Sequence, residues 1–158
     1  MKKLYILMLL SLMIISFYAC TTNPESHFGN NNSNFQNDMT IKAGFTCGWG
    51  SGTDTIEISG DMIKYKYYVP RKSDEPQIIN SRKISEMEWK EIISLFNLNE
   101  FEKLDIDECH TCYDGCDEWI SIETEKISNK ITYQKDISIE SIKNLQKKLS
   151  ALREELNK

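Results

Sequence analysis

Four of the five cysteines carry the densest chemistry in this sequence: Cys47, then Cys109, Cys112 and Cys116 within Asp107-Glu108-Cys109-His110-Thr111-Cys112-Tyr113-Asp114-Gly115-Cys116-Asp117-Glu118. Three chemistries fit these residue types. In an oxidising compartment an even number of cysteines pairs. Four cysteines allow three connectivities, and Cys47 must take one of the clustered three. Cys47–Cys109 with Cys112–Cys116, for example, would tie the glycine-rich segment after Cys47 to the strands that follow the cluster. The spacing Cys109-x-x-Cys112 is also a zinc half-site, with Cys47 and Cys116 completing an all-cysteine tetrahedron and His110 as an alternative ligand. Structural zinc sites usually bring two close pairs, however, and Cys47 stands alone. The same spacing suits a redox dithiol, but a reactive thiol needs positive surroundings. Here Asp105, Asp107, Glu108, Asp114, Asp117 and Glu118 flank the cysteines and would raise a thiol pKa. Disulfide staples are the preferred reading, with no cofactor implied.

Other constellations are weaker. The acids around the cluster fail the calcium-binding EF-hand frame, because the position that needs glycine is His110 or Cys112. Gly48-Trp49-Gly50-Ser51-Gly52 lacks the Lys-Ser/Thr of a phosphate-binding loop, and no helix follows it. It reads as a tight entry loop beside Cys47 whose glycines permit positive φ. The two histidines are His27, in a polar tract, and His110, between cysteines, and neither makes a base for a serine-type triad. Tyr65, Tyr67 and Tyr68 with Lys64 and Lys66 suggest an aromatic strip, but alternation sends Tyr65 and Tyr67 inward and leaves only Tyr68 beside the lysines.

The elements that position these residues are legible from pattern. Asp54–Ser59 and Ile63–Val69 alternate about Gly60-Asp61, as a hairpin does. Pro70 ends the second strand, and 78–83 is a third. Ser85 and Glu88 have capping-box spacing, and Ile84 and Trp89 that of a hydrophobic staple. Trp89, Ile92, Ile93 and Phe96 then form the apolar stripe of a helix ending near Asn97 or Asn99, with Phe101 and Leu104 plugging the same core. Glu118–Thr124 and Ile127–Gln134 form a second hairpin. Ile142, Leu145, Leu149, Leu152 and Leu156 stripe a last helix, read as packing on the sheet, with a dimer through 138–157 as the alternative. The fold class is α+β: a small antiparallel sheet from two hairpins plus a third strand, with two helices on one face, in the order β-β-β-α-β-β-α. That order is similar to small exported inhibitor-like domains, a likeness of fold alone.

The chain start explains why the cysteines should be oxidised. Met1-Lys2-Lys3 precedes an apolar run from Leu4 to Ala19, short for a permanent bilayer-spanning anchor and patterned as a signal peptide, with an uncleaved signal anchor or ordinary secretion as the alternatives to lipidation. Phe17-Tyr18-Ala19-Cys20 resembles the lipobox of bacterial lipoproteins, with Ala19 and Cys20 matching and Phe17 and Tyr18 departing from the usual residues. The resemblance covers residues 1–20. It implies cleavage before Cys20 and attachment there of a diacylglyceryl group and an amide-linked acyl chain such as palmitate, enough chains for stable anchoring. Thr21 is not the Asp that retains such proteins in an inner membrane, so an outer membrane is expected where a cell has two, facing the periplasm or the cell surface. The rest of the chain resembles small envelope lipoproteins without an assigned activity, and this likeness transfers no residue roles.

The resulting layout is 1–19 signal peptide, 20–40 lipidated Cys20 with an Asn-rich tether, and 41–158 a single domain. Of 158 residues, 40% are hydrophobic, which excludes a wholly disordered chain. The formal charge is −5, and losing Lys2 and Lys3 makes it −7, which argues against nucleic-acid binding. The expected function is a disulfide-stapled, membrane-anchored module that binds a protein or small-molecule partner, or inhibits one, rather than catalysing. The alternative is a thiol-redox or zinc protein centred on Cys109, Cys112 and Cys116.

Overall fold

The structure, a computed structural model, describes residues 39–158 apart from Ser73 and Glu75. The stretch expected to be a signal peptide, Cys20, His27 and the stretch expected to be a tether, up to residue 38, lie outside the described residues. What is described is α+β, as the pattern implies. Six strands form one antiparallel sheet: β1 (Thr40–Cys47), β2 (Thr53–Ser59), β3 (Met62–Tyr68), β4 (Ile78–Lys83), β5 (Cys116–Glu123) and β6 (Ser128–Gln134), in the order β4-β3-β2-β1-β5-β6.

β1 is the strand the sequence reading did not include. Ile41, Ala43 and Phe45 alternate against Thr40, Lys42, Gly44 and Thr46, but small residues dilute the signal. The strand is nevertheless central, pairing β2 on one side and β5 on the other. Met39, assigned to the tether, is buried just before it. Gly44 is required here, because a Cβ at this position would collide with the carbonyl oxygen of Asp54 on the neighbouring strand.

Three helices cover one face. α1 (Glu86–Ser94) starts at Ser85, whose hydroxyl oxygen accepts the Glu88 N–H at 3.1 Å, with Ile84 and Trp89 both buried as the staple. The return half of the capping box is not made. The Glu88 carboxylate instead accepts both Nη groups of Arg82, each at 2.8 Å, and its pKa lies below the ordinary value on that account. α1 stops at Ser94, earlier than the apolar stripe suggests. Asn97 then opens a separate single turn, α2 (Leu98–Phe101), by accepting the N–H groups of Asn99 and Glu100.

α3 (Lys143–Leu156) follows a 3-10 turn, and Ile142, Leu145, Leu149, Leu152 and Leu156 are all buried within the domain. They meet Ile41, Ile56, Ile58, Ile63, Ile120, Ile122 and Ile131 of the sheet, with Trp89, Ile92 and Phe101 completing the core. Burial of these large side chains is the main driving force, at about 1.5–3 kcal/mol each. The segment before the cysteine cluster lies along β6: Glu108 N donates to Thr132 O and Thr132 N to Ile106 O, covering part of that edge.

Candidate functional site

Antiparallel pairing brings the last residues of β1 and the first of β5 to one end of the sheet. The register places Cys47 directly opposite Cys116, with Cα atoms 4.0 Å apart, and the two are disulfide-bonded. The second bridge is Cys109–Cys112. The cysteines are therefore stapled, but not as Cys47–Cys109 with Cys112–Cys116. Strand register decides this: Cys116 is the first residue of β5, whereas Cys109 and Cys112 lie in the loop before it.

Two loops spring from the staple. Gly48 N donates to Gly115 O at 2.9 Å, extending the pairing one residue beyond the disulfide. The first loop is a 3-10 turn, Gly48–Gly50, in which Trp49 adopts left-handed backbone (φ 56°, ψ 12°) and is 72% exposed. A left-handed backbone costs a residue with a Cβ about 1–2 kcal/mol. Gly52 closes the loop at φ 121°, with the Tyr67 ring where a Cβ would sit. Arg71 lies 5.6 Å from the centre of the Trp49 ring.

The second loop is a 3-10 turn, Thr111–Tyr113, closed by Cys109–Cys112, with Asp114 left-handed and Tyr113 86% exposed. The buried Asp117 holds it. One carboxylate oxygen accepts His110 N at 2.8 Å, and the other accepts Thr111 N at 3.0 Å and the Thr111 hydroxyl at 2.8 Å. Burial opposes charge on Asp117, yet these hydrogen bonds and that from the His110 ring keep its pKa below the usual value. The loops touch: a Cβ at Gly48 would stand 3.1 Å from the Asp114 Cα.

The arrangement bears on each chemistry read from the sequence. Cys47 is bonded to Cys116 and Cys109 to Cys112, so all four sulfurs are held in disulfides rather than presented as the thiolates a zinc site takes. Among the described residues no three His, Cys, Asp or Glu side chains gather as metal ligands. The backbone N–H groups that would favour a thiolate in the Cys109–Cys112 turn are instead directed at Asp117.

Below the loops lies a cluster that the sequence reading missed. Arg153 Nε donates to Asp54 Oδ2 at 3.0 Å, and its Nη1 donates to Glu118 Oε1 at 3.1 Å. Asp54 also accepts Phe45 N at 2.9 Å and the Tyr65 hydroxyl at 3.3 Å. These side chains border a cleft of about 280 Å³. Burial, and then the Asp54 charge, raise the Tyr65 pKa well above the ordinary value. Signals for the cluster existed: Asp54 is in phase with inward Ile56 and Ile58, and Arg153 stands four residues after Leu149 on the apolar stripe. Both carboxylates are taken up by Arg153, and the cluster fastens α3 to the sheet. No family model matches this chain, and no curated protein is similar to it.

Proposed function

We propose that this protein is a cell-envelope lipoprotein, anchored through lipid on Cys20, whose stapled loop end binds a protein partner. The observation that carries the binding reading is the pair of exposed aromatics, Trp49 and Tyr113, at the tips of two touching loops braced by disulfides. Rigid aromatic side chains contribute contact area with little entropy lost on binding, and aromatics dominate interface hot spots. They project outward, which suits insertion into a partner's surface better than enclosure of a small molecule. The left-handed Trp49 supports the same reading, since strained backbone concentrates at functional sites.

The anchoring reading rests on the lipobox. Its test is metabolic labelling with palmitate in the producing bacterium. Label should enter the wild-type protein and be absent from Cys20→Ser, which should leave the detergent phase. Equal labelling of both would overturn it. For the partner, a photo-crosslinker on the second loop should give a defined adduct in the native envelope, lost when Trp49 and Tyr113 are changed to Ala. An adduct that persists in that variant would overturn the loop end as the binding surface.

The second reading keeps Cys109–Cys112 as a thiol-exchange pair, because both residues are exposed and independent of the Cys47–Cys116 staple. It requires a free-thiol form and activity lost in Cys112→Ser with the fold intact.

A further inference from the structure

Among the described residues the helices leave the other sheet face open, and its charge is opposite in sign to that of the chain. Outward positions on the six strands carry Lys42, Lys64, Lys66, Lys83 and Lys130. Against them stand Glu57, Glu123 and Asp117, and Asp117 is buried and taken up by the cysteine loop. The lysines are not scattered. Lys64 pairs across to Glu57, Glu57 to Lys42, Lys42 to Ser121, and Ser121 to Lys130. Lys64, Lys42 and Lys130 therefore stand in one row perpendicular to the strands, on every second strand, about 10 Å apart.

The adjacent row runs Ile79, Lys66, Thr55, Gly44, Trp119, Thr132. Lys66 sits 5.1 Å from the Tyr68 ring centre and Lys130 5.0 Å from that of Trp119. Among the described residues neither ammonium has a carboxylate partner, and Lys64 and Lys42 hold theirs only at 3.9 and 3.5 Å. Such exposed pairs are weak and exchange readily for another anion.

We propose that this face binds an anionic polysaccharide lying across the strands, its acidic groups on the Lys64–Lys42–Lys130 row. A row of evenly spaced cations matches a linear polymer with a repeating charge, and a disaccharide repeat spans a comparable length. Thr55 and Thr132, in the row beside the cations, supply hydroxyls for sugar hydrogen bonds, and Trp119 and Tyr68 supply rings. An anionic bilayer fits less well, because the right-handed sheet twist makes the surface saddle-shaped rather than planar. The exposed Ile79 is on this face too, opposite Lys66 on the edge strand, but it stands among Lys64, Lys66 and Lys83 rather than in a broad apolar patch. The inference does not depend on lipidation or on the loop end.

The test uses the chain from residue 20 onward with Cys20→Ser, so that it is soluble without lipid. Its probes are heparin, polygalacturonate and uncharged dextran, with phosphatidylglycerol vesicles and single-stranded DNA as competing polyanions. Binding to the two acidic polysaccharides but not dextran is expected, weakening with salt. Changing Lys42, Lys64 and Lys130 together to Gln should weaken it by about tenfold, as three exposed ion pairs would. Lys90, Lys143 and Lys147, on the helices, changed together to Gln should have no effect. The single exposed change Lys64→Gln gives a partial loss if the triple variant folds poorly. Absent polysaccharide binding, equal loss in both triple variants, or tighter binding to vesicles or DNA would each overturn the proposal.

Discussion

Arg153 Nε donates to Asp54 Oδ2 at 3.0 Å, joining the last helix to the second strand across 99 residues. Both side chains are nearly withdrawn from solvent, at 12% and 4% exposure. Burial alone would weaken the guanidinium's hold on its proton, but Asp54 and Glu118 more than offset this. Removing one member strands the others. Arg153→Ala should lose about 3–5 kcal/mol of stability in urea unfolding, as breaking a buried pair does. Arg153→Met, which keeps the apolar stem, should lose less. A cost under about 1 kcal/mol for Arg153→Ala would mean that the pair behaves as a surface contact.

The two disulfides should contribute unequally. Cys47–Cys116 joins residues 69 apart, and Cys109–Cys112 residues 3 apart. In the chain-entropy model the first is worth about 4 kcal/mol and the second about 2. Replacing both cysteines of one pair by serine, in turn, should reproduce that order in thermal unfolding. Intact mass should show the oxidised chain lighter than the reduced one by the hydrogens of two disulfides. The exposed Cys109–Cys112 bridge should be reduced first, with peptide mapping identifying the freed thiols.

Stability should fall in strong base. Burial pushes the Tyr133 hydroxyl up to about 12, and Tyr65 shifts in the same direction. An unfolded tyrosine ionises near 10. Below about pH 10 both states keep the proton and this contribution is whole. Between about 10 and about 12 the unfolded state ionises first and gains, so stability is lost. Tyr133→Phe should flatten the decline in denaturant midpoint over that window. An unchanged slope would remove Tyr133 as its cause.

In acid the sign reverses, through Asp117. Its carboxylate pKa is depressed in the folded protein, so its contribution is present above the ordinary carboxylate range and lost as pH falls through the lower folded value. Asp117→Asn should reduce stability at neutral pH and weaken the acid dependence. Amide exchange at His110 and Thr111 should rise most, because those N–H groups lose a charged acceptor.

Trp49 separates stability from recognition. Trp49→Gly removes the penalty of φ 56° and should stabilise the fold by about 1 kcal/mol, while abolishing the crosslinked adduct of the loop end. A destabilised Trp49→Gly would show instead that the ring's packing on Arg71 outweighs the strain.

Local signals were readable where one element suffices to create them. The Ser85 cap, the Ile84–Trp89 staple, the first hairpin and the leucine stripe of the last helix each follow from spacing, because backbone period and apolar burial act over a few residues. That the four cysteines after Cys20 pair was likewise legible from their even number. What depends on long-range pairing was not readable. β1 became central only because β2 and β5 satisfy both of its edges, which no local pattern reports. Its register against β5 chose Cys116 for Cys47 and carried Trp49 and Tyr113 to one end. The same six-strand order aligned Lys64, Lys42 and Lys130, three residues that are far apart in sequence, into a row on the open face. Sequence determined which residues are apolar, charged or oxidisable. Which of them meet was decided by strand order and register, since a hydrogen-bonded ladder fixes neighbours whatever their distance along the chain.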